Sequence, residues 1–174
     1  MSTTIANGQH AVKQGNPHVA RTASADALSR LVVQVMQLNG LLLAAGDALS
    51  APAGQSAARW QVLAAVERAP GSVADIARLM NLARQSVQRI ADLLVADGLA
   101  LYRDNPAHAR AKLLCLTPAG IRVLRRIQLA QATWADELAA GIDPDRLQAA
   151  SGLLEQLRLA LQPGPQEPLG RSPP

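Results

Sequence analysis

The sequence predicts a mainly α-helical fold with one small β-hairpin, and three observations carry that prediction. Apolar residues recur at alternating spacings of three and four over long stretches toward both ends of the chain. The apolar residues are Ala, Leu, Val and Ile, with no Phe and only Trp60, Tyr102 and Trp134 as aromatics, a palette that favours packed helices over sheets. Two short strand patterns, Leu99 to Asp104 and Lys112 to Thr117, flank a turn-rich loop. The 174 residues amount to about one domain on a prior of ~150 residues per domain.

Residues 1–25 hold Gly8, Gly15 and Pro17 among polar residues and read as a flexible arm. Ser24 is a candidate N-cap for a helix within 26–56. Leu28, Leu31, Val35, Leu38, Leu42, Ala45 and Leu49 give that helix a seam of period 3.5, and Ala51-Pro52-Ala53-Gly54 ends it. The segment 57–117 is of a different kind. A helix from Ala57 to Ala69 carries Trp60, Leu63 and Val66 and stops at Pro70-Gly71. Ser72-Val-Ala-Asp75 is a capping-box start with Asp in the place of Glu or Gln, opening a short helix that ends near Met80-Asn81. Another helix runs from Arg84 to Asp97 and stops at Gly98. The two strand patterns follow, joined by a seven-residue loop over 105–111. Helix, helix, tight turn, helix and a two-stranded ribbon is the order of a winged helix-turn-helix.

In 118–162, Thr117-Pro118 opens a helix bearing Leu124, Ile127, Gln131, Trp134 and Leu138. Asp143-Pro144 then supplies an N-cap and a proline at the first helical position for a last helix, with Leu147, Ala150, Leu154, Leu157 and Leu161. The tail 163–174 is rich in Pro and Gly and reads as disordered. Packing within one bundle is one reading of the terminal seams. The favoured reading is a helical dimerisation domain formed by the N- and C-terminal helices, because they flank a compact middle and have little else to pack on.

Charge placement points to a polyanion. From Arg84 to Arg126 there are eight basic residues and three acids, a net +5, while the rest of the chain carries −1. On the helix beginning at Arg84, Val87, Ile90, Ala91 and Leu94 share an inward face, and Gln85, Gln88, Arg89 and Asp92 lie opposite. Gln pairs bidentately with adenine and Arg with guanine in the major groove, so Gln85, Gln88 and Arg89 read as base-contacting. A solvated helix face looks similar in isolation; the tight turn before it and the hairpin after it favour double-stranded DNA. Arg84 and Ser86 sit in the first turn, where free N–H groups and the helix dipole favour a phosphate, and Ser72 opens the preceding helix. Arg103, His108, Arg110 and Lys112 lie on or beside the loop, with Arg110 suited to minor-groove insertion. A charged hairpin that merely protects a sheet edge is the competing reading.

Other chemistry is excluded or unsupported. With Cys115 as the one cysteine there is no intramolecular disulfide and no CxxC metal site. His10, His18 and His108 have no metal-ligand spacing. No catalytic grouping and no GxGxxG stands out, so neither an enzyme nor a cofactor is expected. The N-terminus lacks a signal-peptide core, and the longest apolar run, Leu41 to Ala45, is far too short to span a bilayer, so a cytoplasmic protein without membrane partners is expected.

In its motifs the sequence closely resembles the MarR family of bacterial regulators. The matching residues are Ala58-Arg59-Trp60-Gln61-Val62-Leu63 and Val73-Ala-Asp-Ile-Ala-Arg-Leu-Met80. They continue through Arg84-Gln-Ser-Val-Gln-Arg-Ile-Ala-Asp-Leu-Leu94, Asp97-Gly98-Leu99 and Lys112-Leu-Leu-Cys-Leu-Thr-Pro-Ala-Gly120. The resemblance covers roughly residues 26–161, with the terminal helices matched by pattern. It implies an obligate homodimer, a recognition helix starting near Arg84, and a pseudo-palindromic operator. It also implies a small aromatic or anionic effector held between domains, for which Met36 and Trp60 are the candidate contacts. Two departures stand out: Ala83 where the family often has Ser or Thr, and His108-Ala109-Arg110 where many relatives carry Asp-Arg-Arg. Two other readings fit the residues, a winged-helix module that binds protein and a DNA binder without small-molecule response.

Overall fold

The computed structural model describes residues 21–108 and 110–162; the expected arm up to residue 20 and the expected tail from residue 163 lie outside them. The described residues divide into two units, separated between Leu43 and Ala44. The first helix, α1 (Ala23–Ser50), runs across that division. Its cap is Thr22, not the expected Ser24: the Thr22 hydroxyl oxygen accepts from the Ala25 N–H at 3.1 Å. By length and composition α1 is apolar enough to cross a bilayer, although its uninterrupted apolar runs are short. Its longest uncharged stretch, 31–46, includes Gln34, Gln37 and Asn39.

The second unit is built around α2 (Ala57–Arg68), α3 (Val73–Met80) and α4 (Arg84–Ala96). Pro52 and Gly54, the latter at φ +70°, form a 3-10 turn after α1, and the Ser56 side chain caps α2. The Ser72–Asp75 capping box forms as expected: the Ser72 hydroxyl accepts from the Asp75 N–H, and the Asp75 carboxylate accepts from the Ser72 N–H, each at 3.2 Å. Asn81 ends α3 in the left-handed region, and Gly98, at φ +69°, turns the chain after α4 into the sheet. Ala83 caps α4 with no side-chain hydrogen bond.

The sheet has three strands, not two. Gly71–Ser72 forms β1, which pairs antiparallel with β3 (Leu113–Leu116), and β3 pairs with β2 (Ala100–Arg103), giving the order β1-β3-β2. Two residues carry no periodicity, so β1 left no trace in the pattern. It ties the start of α3 to the wing through the pairs Ser72↔Leu113 and Gly71↔Leu114. Pairing in the hairpin stops at Arg103↔Leu113, so the loop runs from Asp104 to Lys112 and is longer than expected.

Val62, Leu63, Val66, Ile76, Val87, Ala91, Leu94, Leu114 and Leu124 form one core shared by α2, α3, α4, the sheet and the first turns of α5 (Pro118–Ala139). The start of α5 is locked by Thr117. Its hydroxyl donates to the Gly98 carbonyl at 2.7 Å and accepts from the Gly120 N–H at 3.1 Å. Farther along α5, Leu129 and Leu138 are exposed. The last helix, α6 (Pro144–Ala160), starts with the expected Asp143 cap and Pro144 and contains no buried residue. Leu147, Leu153, Leu154 and Leu159 are exposed on it.

Candidate nucleic-acid interface

Amphipathic spacing decides which side of α4 is available. Val87, Ala91 and Leu94 are buried in the core, which turns Arg84, Gln85, Arg89 and Asp92 outward. The helix is held at two places. At its end, Arg59 of α2 forms an ion pair with Asp97. At mid-helix, Tyr102 of β2 donates its phenol proton to Asp92 at 2.8 Å. Burial and the Asp92 carboxylate push the Tyr102 phenol up to about 12, so it stays protonated at neutral pH.

Two clefts meet on this side. One, of about 320 Å³, lies between the starts of α3 and α4 and the wing, with Ser72, Arg84, Gln88, Tyr102, Arg110 and Lys112 among its walls. The other follows the outer face of α4 along Arg84, Gln85, Gln88, Arg89 and Asp92. Arg84 and Gln88 belong to both, so wing and helix face form one continuous surface. Among the described residues, Arg84, Arg89, Arg103, Arg110 and Lys112 form no ion pair, which leaves their charge available to an external anion.

The expected site residues differ in what they can offer. Arg84, Gln85, Ser86 and Arg89 are exposed on the first two turns of α4, beside the uncapped N–H groups that follow Ala83. Arg103, His108, Arg110 and Lys112 are exposed at or near the wing loop, where the Asn105 side chain accepts from the Ala107 N–H at 2.9 Å and shapes the turn. Ser72 lines the wing cleft but is buried, and its hydroxyl is committed to Asp75, to which it also donates at 2.6 Å. That hydrogen bond, first among its causes, holds the Asp75 carboxyl below its ordinary range. Gln88 is half-buried and not free, because its amide nitrogen donates to Asp92 at 2.9 Å and to Tyr102 at 2.8 Å. Sequence reasoning missed Tyr102; the i, i+4 spacing of Gln88 and Asp92 was the one local clue to this cluster. Of the candidate effector residues, Met36 is exposed on α1, and Trp60 is half-buried against the core of the second unit.

A MarR family model matches residues 54–111, the stretch that contains α2, α3, α4 and most of the wing. An uncharacterized protein of Mycobacterium tuberculosis is 40% identical over 137 residues, which span 79% of this chain and 96% of that protein. Solved structures share the fold at lower identity. A mutant MarR from E. coli complexed with operator DNA aligns at a TM-score of 0.64 and 24% identity, over 77% of this chain and 95% of that one. CouR from Rhodococcus jostii bound to p-coumaroyl-CoA aligns at 0.68 and 19%, over 83% and 100%. Motif order, a buried α4 core face beside an exposed cationic one, and these likenesses agree: the chain belongs to the MarR family of winged-helix transcription regulators.

Proposed function

We propose that this chain is a homodimeric repressor that reads a pseudo-palindromic operator and is released by a small aromatic or anionic effector. In each copy the outer face of α4 enters the major groove, with Gln85, Gln88 and Arg89 toward base edges. Arg84 and Lys112 meet phosphates beside it, joined by Arg103 and His108 at the wing, and Arg110 reaches toward the minor groove. The observation that carries this reading is the continuity of the two clefts through Arg84 and Gln88, with cations that have no acidic partner among the described residues. The MarR relative complexed with operator DNA has the same fold and supports that use of the surface.

The second copy is argued from unburied apolar surface. Leu28, Val32, Val35, Leu38, Leu41 and Leu42 of α1 are exposed in a single chain, as are Leu147, Leu154 and Leu159 of α6. Such seams mark an association surface in a soluble protein. The effector rests on CouR, whose structure holds p-coumaroyl-CoA in the same fold. Titrating phenolic acids while following Trp60 and Trp134 fluorescence tests it; an unresponsive emission together with undiminished DNA binding would leave a constitutive DNA binder.

Selection of duplexes from a random pool by the purified chain tests the DNA reading. In each copy three exposed cations, Arg84, Arg103 and Lys112, are the ones assigned to phosphates. A dimer engaging about six phosphates through them should lose affinity with salt along a log–log slope on the order of −5. Replacing Gln85, Gln88 and Arg89 together with alanine should abolish the preferred motif, at about 1–3 kcal/mol for each base no longer read. Unchanged operator binding by that triple variant would remove α4 as the reading element. A pool from which no sequence is enriched would favour the protein-binding module instead.

A further inference from the structure

The Gln88–Asp92–Tyr102 cluster has a fixed proton pattern. A carboxylate only accepts, so the single Tyr102 phenol proton goes to Asp92 Oδ1, 2.8 Å away. Gln88 Nε2 then donates one proton to the same carboxylate oxygen at 2.9 Å and the other to the phenol oxygen at 2.8 Å. Turning the amide over would set its oxygen against the carboxylate, acceptor against acceptor, which fixes the orientation. Gln88 Oε1 is left without a hydrogen-bond partner among the described residues and is not sealed from solvent. Gln88 itself lies where the two clefts join.

A free glutamine offers one donor and one acceptor and pairs bidentately with adenine N6 and N7. The clamped Gln88 offers an acceptor alone. In the major groove the base groups that can meet a lone acceptor are the exocyclic amines, adenine N6 and cytosine N4, while guanine and thymine present only acceptors there. We propose that Tyr102 and Asp92 are specificity-positioning residues: by taking both amide protons of Gln88 they make it accept adenine or cytosine at one operator position and reject guanine and thymine. This rests on the reading of α4 as the DNA-reading helix and adds to it a rule for one base. Tyr102 touches no base; it acts through Gln88.

The experiment compares motifs selected from random duplexes by the full-length chain and its Tyr102→Phe variant at the same salt. The wild type should enrich adenine and cytosine comparably at one position of each half-site. Tyr102→Phe keeps the ring but returns one amide proton to Gln88, so adenine should overtake cytosine there by roughly fivefold or more, the lower end of the discrimination a good bidentate pair gives. The salt slope should not move, because no phosphate contact changes. Asp92→Ala, at an exposed position of α4, should shift the same base the same way and serves if Tyr102→Phe folds poorly. A wild-type preference for adenine alone at every position, or identical motifs from wild type and both variants, overturns the clamp while leaving α4 as the reading helix. A wild type that selects no motif overturns the DNA reading itself, and the clamp with it.

Discussion

Replacing Gly120 with alanine should unfasten α5 from the wing. A Cβ at Gly120 would lie 2.0 Å from the Leu99 carbonyl oxygen and 3.0 Å from its carbon. The first distance is well over an ångström short of the 3.4 Å at which ordinary contact begins, and both atoms are backbone, so no side chain can rotate aside. The same Leu99 oxygen accepts from the Thr117 N–H at 3.1 Å, and the Thr117 hydroxyl holds the Gly120 N–H and the Gly98 carbonyl. The first turn of α5 must therefore retreat. Overpacking costs about 1–3 kcal/mol and each weakened hydrogen bond about 0.5–1.5, against about 1 returned by alanine's helix preference, for a net loss of about 3 kcal/mol. For a chain of this size that lowers Tm by about 10 °C. Thermal melts followed by far-ultraviolet circular dichroism measure it, at one fixed protein concentration because the Tm of the proposed dimer would depend on concentration. Gly141→Ala is the control, since a Cβ there meets nothing within 4 Å. Equal melting of the two variants would refute the reasoning.

Three further outcomes are expected. Ala83→Ser should supply the missing cap of α4 and raise stability by about 1 kcal/mol, read as a higher urea midpoint at unchanged slope. Arg110→Ala should weaken operator binding with little change in the selected motif, read by titrating wild type and variant with the same duplexes. Tyr102 is the only tyrosine, so ultraviolet absorbance reports its ionisation alone: the phenol should titrate at about 12 in the folded chain and near 10.0 in urea. The protonated form is the one the fold favours. Its contribution to stability is therefore fully present below pH 10.0 and is lost as pH rises toward about 12.

What could be read from the sequence was local chemistry repeated at a helical period. The inward face of α4, the Ser72–Asp75 box and the Asp143-Pro144 start each lie within a few residues, and each forms. The hidden features depend on chain segments brought together by the fold. β1 is two residues that become a strand only because β3 passes beside them. Gln88 and Tyr102 are 14 residues apart and meet because β2 returns alongside α4. Thus the composition of the outer face of α4 was legible, but the fact that one of its glutamines is held was not. The wing loop is longer than its pattern suggests because the pleated pattern continues past Arg103, whereas Pro106 has no N–H to pair and Asn105 bonds locally. On α5, Leu124 and Ile127 share a seam with Leu138, yet the first two are fully buried and Leu138 is exposed. Periodicity identifies the stripe without saying what covers each part of it.

These attachments bear on how the surface would discriminate between operators. The end of α4 is tied to α2 by Arg59 and Asp97, its flank to β2 through Asp92 and Tyr102, and its core face is buried between. β1 ties the start of α3 to the strand that carries the far side of the wing. Helix face and wing cleft are thereby parts of one packed body, so a base substitution in the operator cannot be absorbed by tilting α4 without breaking an ion pair, a hydrogen bond and core packing together. Under the proposed reading, discrimination within a half-site would then fall to side-chain chemistry at Gln85, Gln88 and Arg89. In the proposed dimer the spacing between half-sites would be set by how two copies join, and so by the exposed seams of α1 and α6. An effector acting on the joint between copies would alter that spacing and leave the reading of each half-site intact. In selection experiments the two would separate: changes on α4 should alter which bases are enriched, while effector or seam substitutions should alter the preferred distance between half-sites, about one helical turn of DNA, ~34 Å, in the bound state.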